Sequence, residues 1–259
     1  MPVAVITGAS KGLGRALGAA LAGRGWDLVV DARSAGPLEE AARGLRRAGA
    51  RVVALPGDVT DAAHRAELVA AARGLGGLDL LVNNASVLGV EPLVRLEEHG
   101  LDGLRAALEV NAVAPLGLAQ EALPLLRASR LFGTSAASPY IGDSDAHIRT
   151  EHHKSTGGAV LNISSDAAAE AYETWGGYGA AKAALDQLSA VLAVEEPGLR
   201  VWWVDPGDMR TDLYAAAVPG DDDSVRPLPE TVVPALLRLL DAGAASGRYA
   251  APGLLVGAR

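Results

Sequence analysis

Tyr178 and Lys182 stand four residues apart in Tyr178-Gly179-Ala180-Ala181-Lys182, a spacing that puts both side chains on one face of a helix. A free phenol titrates at about 10 and holds its proton too tightly to be a good base near neutrality. A neighbouring ammonium favours the phenolate and moves that equilibrium toward the working pH. The pair could therefore give and take a proton. Taken alone, it reads better as an ordinary helical pair with the lysine solvated and the tyrosine half buried.

A second constellation lies near the start, in Thr7-Gly8-Ala9-Ser10-Lys11-Gly12-Leu13-Gly14. Glycines at such a turn let the backbone bend tightly and come close to a pyrophosphate, which then meets the free N–H groups and positive dipole end of the next helix. A tight turn with close packing and no ligand would use the same residues. Its placement decides in favour of a dinucleotide, because it joins the first strand to the first helix.

Those elements are legible along the chain. Apolar runs at Val3–Thr7, Asp27–Asp31, Arg51–Leu55, Leu78–Val82, Ala159–Ile163, Arg200–Val204 and a short one near Arg248–Ala251 read as strands. Between them, Gly12–Arg24, a stretch through Leu38, Ala41, Ala42 and Leu45, and Ala62–Arg73 carry helical spacing. Strands alternating with helices of about 10–15 residues predict right-handed βαβ units and a parallel sheet covered on both faces. The fold class is α/β: a doubly wound, Rossmann-like parallel sheet in three α/β/α layers, forming a single domain over residues 1–259. Ligands in such sheets sit outside the carboxyl ends of the strands, so every motif with chemistry should fall there.

The Gly-rich turn resembles the Thr-Gly-x-x-x-Gly-x-Gly turn of the short-chain dehydrogenase/reductase family, and the remaining motifs follow in that family's order over nearly the whole chain. Asp58-Val59 resembles its adenine-contacting acidic element, although a cap or turn role for Asp58 is comparably good. Asn83-Asn84-Ala85 resembles its Asn-Asn-Ala-Gly element, with Ser86 in the glycine's place. Asn111, in Glu-Val-Asn-Ala, matches the asparagine of the catalytic tetrad; an asparagine inside a helix has poor propensity and needs a local reason. Ser165, thirteen residues before Tyr178, matches the catalytic serine, and Tyr178 and Lys182 the Tyr-x-x-x-Lys signature. Pro206-Gly207-Asp208-Met209-Arg210-Thr211 resembles the segment that holds the nicotinamide.

The resemblance implies hydride transfer between a nicotinamide and a carbonyl/alcohol pair. Tyr178 would exchange the proton, Ser165 would hydrogen-bond the substrate oxygen, Lys182 would hold the nicotinamide ribose, and Asn111 would position a water for proton relay. Cofactor contacts would come from Gly8, Ser10, Lys11, Gly12, Leu13, Gly14, Arg33, Asp58, Val59, Asn84, Ala85, Tyr178, Lys182, Pro206, Gly207, Met209 and Thr211. NAD-specific members carry an acid at the end of the second strand, whereas arginine there accommodates a 2′-phosphate. The strand ends Val30-Asp31-Ala32-Arg33, placing Ala32 at the acid's position and Arg33 beside the ribose, with Lys11 as a second cation. Alternation points Asp31 to the other face. NADP(H) is the expected cofactor; a slip of one residue would favour NAD(H).

One segment departs from the family. About thirty residues, Ala128 to Gly157, separate the helix after Asn111 from the fifth strand, where the family has a short connection. Loops this long are uncommon and are usually functional or disordered. Because it joins a helix to the amino end of a strand, it should emerge opposite the cofactor. Its His147, His152 and His153 read as solvated loop residues rather than metal ligands. Many relatives associate through the neighbouring helices, which implies a homodimer or homotetramer. Tyr172, Trp175 and the stretch Asp212 to Pro229 are the candidates to meet substrate, with Asp221-Asp222-Asp223 a solvated lid surface.

Composition narrows the classes. At 259 residues and 49% hydrophobic, the chain can bury a sizeable core. A formal net charge of -8 argues against nucleic acid or anionic lipid as partner. The absence of cysteine removes disulfides, thiolate metal sites and cysteine nucleophiles, and no metal is expected. With no signal-like start and no run long enough to cross a bilayer, a cytoplasmic enzyme acting on a small carbonyl or alcohol is the expectation. A non-catalytic NAD(P)-binding sensor or assembly subunit is the alternative.

Overall fold

Seven runs form strands: β1 (Val3–Ile6), β2 (Asp27–Ala32), β3 (Val52–Pro56), β4 (Leu80–Asn83), β5 (Ala159–Ile163), β6 (Arg200–Asp205) and β7 (Gly247–Ala250). The computed structural model describes residues 1–133 and 157–256. In it every strand pair is parallel and the order is β3-β2-β1-β4-β5-β6-β7. β1, β2, β4 and β5 are buried along their whole length, which is why Val, Leu, Ile and Ala fill most of their positions.

Helices cover both faces. Leu17 and Leu21 of α1 (Gly12–Gly23), Leu38 and Leu45 of α2 (Ala35–Arg47), and Leu236 and Leu239 of α8 (Pro229–Ala242) pack with Ile6 and Val30 on one side. On the other, Leu68 of α3 (Ala62–Leu75), Leu118 and Leu126 of α5 (Ala114–Ala128) and Ala193 of α6 (Gly176–Glu195) pack with Val5, Val29 and Val160. This is the doubly wound, Rossmann-like arrangement that the sequence predicts. The chain winds outward through β1, β2 and β3, then returns past β1 to β4, and that reversal opens a crevice at the strands' carboxyl ends.

The long segment between α5 and β5 starts and finishes at the opposite end of the sheet. Ser129 donates to Asp79 at 2.6 Å just before β4, and Gly158 N–H donates to the Leu126 carbonyl at 2.9 Å. Phe132 stands edge-on to Trp202 at 6.0 Å. The flanks thus leave from the amino ends, away from the crevice. Residues 134–156, which include His147, His152 and His153, lie outside the described residues.

Candidate active site

The turn after β1 is built so that only glycine fits. Gly8 has φ +65°, and a Cβ there would lie 2.9 Å from the Ala85 Cα; at Gly14 it would lie 2.7 Å from the Gly8 carbonyl oxygen. Gly12 also takes a positive φ, +56°. Asn84 braces this turn, its amide donating to the Thr7 carbonyl at 2.8 Å and the Gly8 carbonyl at 3.2 Å. Thr7 Oγ1 in return accepts from Asn84 N–H and Ala85 N–H, each at 3.0 Å. The close approach of the β1 and β4 turns leaves the first N–H groups of α1 facing a cavity of about 1250 Å³. Gly8, Ser10, Lys11, Gly12 and Leu13 line it, as do Asn84, Ala85, Pro206, Gly207, Met209 and Thr211.

Tyr178 and Lys182 lie in the first half of α6, 6% and 2% exposed, and both line the same cavity with Ser165. The solvated-pair alternative for them is thereby excluded. Burial pushes the Tyr178 phenol up to about 12, opposed by the hydroxyls of Ser86 and Ser165 beside it. Burial pulls Lys182 down to about 8, opposed by Asp186. The Lys182 ammonium lies 5.5 Å from the Tyr178 ring centroid and donates to the Ile163 carbonyl at 2.7 Å. The sequence predicts a phenol moved toward neutrality by its lysine; burial is the largest influence on it here and pushes it the other way.

Ser165 follows β5 and its hydroxyl donates to Asp166 at 2.9 Å. Behind it runs a set of contacts that the sequence does not announce. Ser164 donates to Asp186, Arg248 of β7 donates to Asp186 at 3.0 Å, and Arg248 donates to the Ser165 carbonyl at 2.9 Å. Lys182 and Asp186, four apart on α6, therefore hold residues 163 to 165 from one side while Arg248 holds them from the other. The i, i+4 spacing could have pointed to Asp186. Arg248 is distant in sequence and carries no such signal. Deeper still, Asn83 donates to Asn162 at 2.8 Å and Asn162 to Ser189 at 2.7 Å, which satisfies two buried amides between β4, β5 and α6.

Asn111 has its local reason. It sits in a π-turn, Glu109–Val113, between α4 (Leu101–Leu108) and α5, a form frequent at functional sites. Its amide accepts from Val87 N–H at 3.0 Å and donates to the Val87 carbonyl at 2.8 Å. The side chain is thus committed to the backbone after β4 and is 1% exposed.

At the other end of the cavity, Asp31, Ala32, Arg33, Asp58 and Val59 form the wall. Asp58 plays the turn role weighed against adenine contact, accepting from Thr60 N–H at 2.9 Å and Thr60 Oγ1 at 2.8 Å. Lys11 pairs with Asp212 at 2.6 Å. Toward the mouth, Tyr172 and Trp175 both line the cavity, and Trp175 packs edge-on to Tyr178 at 5.6 Å. Asp221 is not simply solvated: it accepts from Tyr214 at 2.7 Å and pairs with Arg226 at 3.2 Å. No group of three or more potential metal ligands occurs among the described residues, and none of their helices is long and apolar enough to cross a membrane.

The family model for short chain dehydrogenase matches residues 2–134 and 145–222. This chain belongs to the short-chain dehydrogenase family. Sepiapterin reductase of Meriones unguiculatus is 35% identical over 225 residues, covering 83% of this chain and 77% of that one. The hydroxyacyl-CoA dehydrogenase ChsB1 of Mycobacterium tuberculosis is 32% identical over 258 residues, covering 94% and 74%. Among solved structures, an alcohol dehydrogenase from the archaeon Thermococcus sibiricus, complexed with 5-hydroxy-NADP, superimposes with a TM-score of 0.78 at 27% identity, covering 96% of this chain and 95% of that one.

Within this short-chain dehydrogenase, two residues stand out beside the expected set. Ser86 occupies the position of the family's glycine and sets its buried hydroxyl beside the phenol, with no hydrogen bond of full geometry among the described residues. Asp31 faces His64 of α3. The sequence marks the first as a substitution but assigns it no role, and gives no sign of the second, which depends on a contact between distant elements.

Proposed function

We propose that this chain is an NADP(H)-dependent oxidoreductase that interconverts a small-molecule carbonyl and a secondary alcohol, with Tyr178 as general acid and base. The observation that carries this reading is the convergence of Tyr178, Lys182 and Ser165 on the one cavity that the Gly8–Gly14 turn opens into. That turn fits a dinucleotide: its glycines let the β1 and β4 turns close on one another where a Cβ would clash, and the free N–H groups of α1 suit a pyrophosphate. Arg33 and Lys11 are the cations available to a 2′-phosphate, and Pro206, Gly207, Met209 and Thr211 would hold the nicotinamide end.

The bound cofactor supplies or accepts the hydride. Ser165 donates a hydrogen bond to the substrate oxygen and stabilises the charge that develops there. Tyr178 hands its proton to that oxygen during reduction and removes it during oxidation. Lys182, charged below about pH 8, holds the ribose and favours the phenolate as the proton leaves. We further propose a cytoplasmic homodimer or homotetramer. Exposed Val113, Val191 and Val194 support association through the region around the π-turn and α6.

Following NADPH consumption across a panel of ketones, quinones and aldehydes tests the assignment. Turnover of at least one class, absent from Tyr178→Phe, is the expected result. NADPH binding without turnover of any of them would favour a sensor on the same fold.

A further inference from the structure

Asp31 is a buried acid directly beneath the turn that receives the cofactor. It is 1% exposed and both carboxylate oxygens are engaged. Oδ1 accepts from Gly8 N–H at 2.9 Å, and Oδ2 faces His64 Nε2 at 3.2 Å. His64 comes from α3, is 5% exposed, and fills the space over Gly57, where a Cβ would overlap its ring. Neighbouring β2 residues Val30 and Ala32 face the α1/α2 side, so Asp31 takes the α3 side, as alternation predicts. It nonetheless borders the cavity together with Arg33.

We infer that His64 is a specificity residue for the cofactor: as an imidazolium it neutralises Asp31 and thereby lets the end of β2 accept a 2′-phosphate. This rests on the dinucleotide site proposed above. An uncompensated carboxylate under the ribose repels a phosphate and leaves a hydroxyl undisturbed, since only the phosphate carries charge. Burial on both sides weakens solvent screening of that repulsion. The charged groups facing His64 are Asp31 from β2, Asp58 from the turn after β3, and Asp61 and Glu67 from its own helix. All are acidic, and together, Asp31 foremost, they raise the imidazole above its ordinary value against the effect of burial. His64 is therefore charged on the acidic side of its transition, and loses that charge as pH rises through a value above the usual 6.5.

The test is the ratio of dissociation constants for NADPH and NADH, read by calorimetry between pH 7 and about 9.5, where a 2′-phosphate is already dianionic. The wild-type preference for NADPH should fall about tenfold across the imidazole transition; loss of the Lys182 charge in the same window acts on the ribose of both dinucleotides and leaves the ratio alone. His64→Gln keeps a neutral donor and removes the charge, so its preference should be low and flat with pH. Asp31→Asn should keep the preference high and flat, and the double variant should recover it. A ratio that follows the wild-type pH course in His64→Gln overturns the inference. If that variant does not fold, Asp31→Asn decides alone, and a wild-type pH course there is equally fatal. Should neither dinucleotide bind the wild type, the proposed function fails and this inference falls with it; tight binding with an insensitive ratio sinks only the inference.

Discussion

The cavity has a buried titratable pair at each end, and the two behave oppositely. Tyr178 and Lys182 face no opposite charge in direct contact, so burial pushes both toward neutrality, the phenol up to about 12 and the ammonium down to about 8. Asp31 and His64 face one another at 3.2 Å, and that contact raises the imidazole despite its burial. Desolvation disfavours the charged form of each group at the reaction end, whereas a matched pair favours the charged form of both partners. The reaction end therefore favours neutral groups, and the Asp31–His64 end favours opposite charges until the imidazole titrates.

Breaking the reaction end should have the largest effects. Lys182→Met removes the only cation beside the phenol among the described residues and should cost roughly 10³-fold in kcat, within the range for lost acid–base catalysis. Rapid-mixing assays with saturating NADPH check this, and a loss confined to KM would show that the lysine only binds. Ser165→Ala removes one donor to the developing charge and should cost about 10²-fold in kcat, with NADPH affinity unchanged.

A smaller effect sharpens the contrast between holding and reacting. Asp186 touches neither substrate nor phenol but ties Ser164 and Arg248 together and raises Lys182. Asp186→Asn should lower kcat about tenfold, the worth of one charged hydrogen bond, and should shift the alkaline limb of the kcat–pH profile downward. A merely structural role would leave that limb in place.

The smallest effect is on stability. Lys182 titrates lower folded than unfolded, so between about pH 8 and its ordinary value of 10.5 the unfolded chain binds more protons and folding gains stability as pH rises. The melting temperature of the cofactor-free wild type, measured against Lys182→Met, should rise by a few degrees across that window. A parallel pH course for the two proteins would show that the ammonium is not desolvated.

How much of this could be read beforehand depended on whether the information was local. β5 appears with the predicted bounds, Ala159–Ile163, because a fully buried strand is mostly apolar, interrupted here by the hydrogen-bonded Asn162, with turn residues at both ends. The glycines and the Tyr178–Lys182 pair are visible as spacing along one turn or one helix, and Ser165 through its family-like distance from Tyr178. The brace of Asp186 and Arg248, the Ser86 hydroxyl beside the phenol, and the Asp31–His64 pair do not, since each joins elements whose proximity only the sheet order creates. The upward push of burial on the phenol is hidden for a related reason. Spacing shows that an ammonium is near but not that both groups are buried.

The proton carried by Tyr178 is the centre of the account, and Tyr178→Phe tests it most directly. With the panel substrate that the wild type reduces fastest, single-turnover NADPH oxidation should fall at least about 10²-fold while the dissociation constant for NADPH stays within about twofold, since the ring is kept and only the hydroxyl is lost. Wild-type turnover by the phenylalanine variant would contradict the account outright.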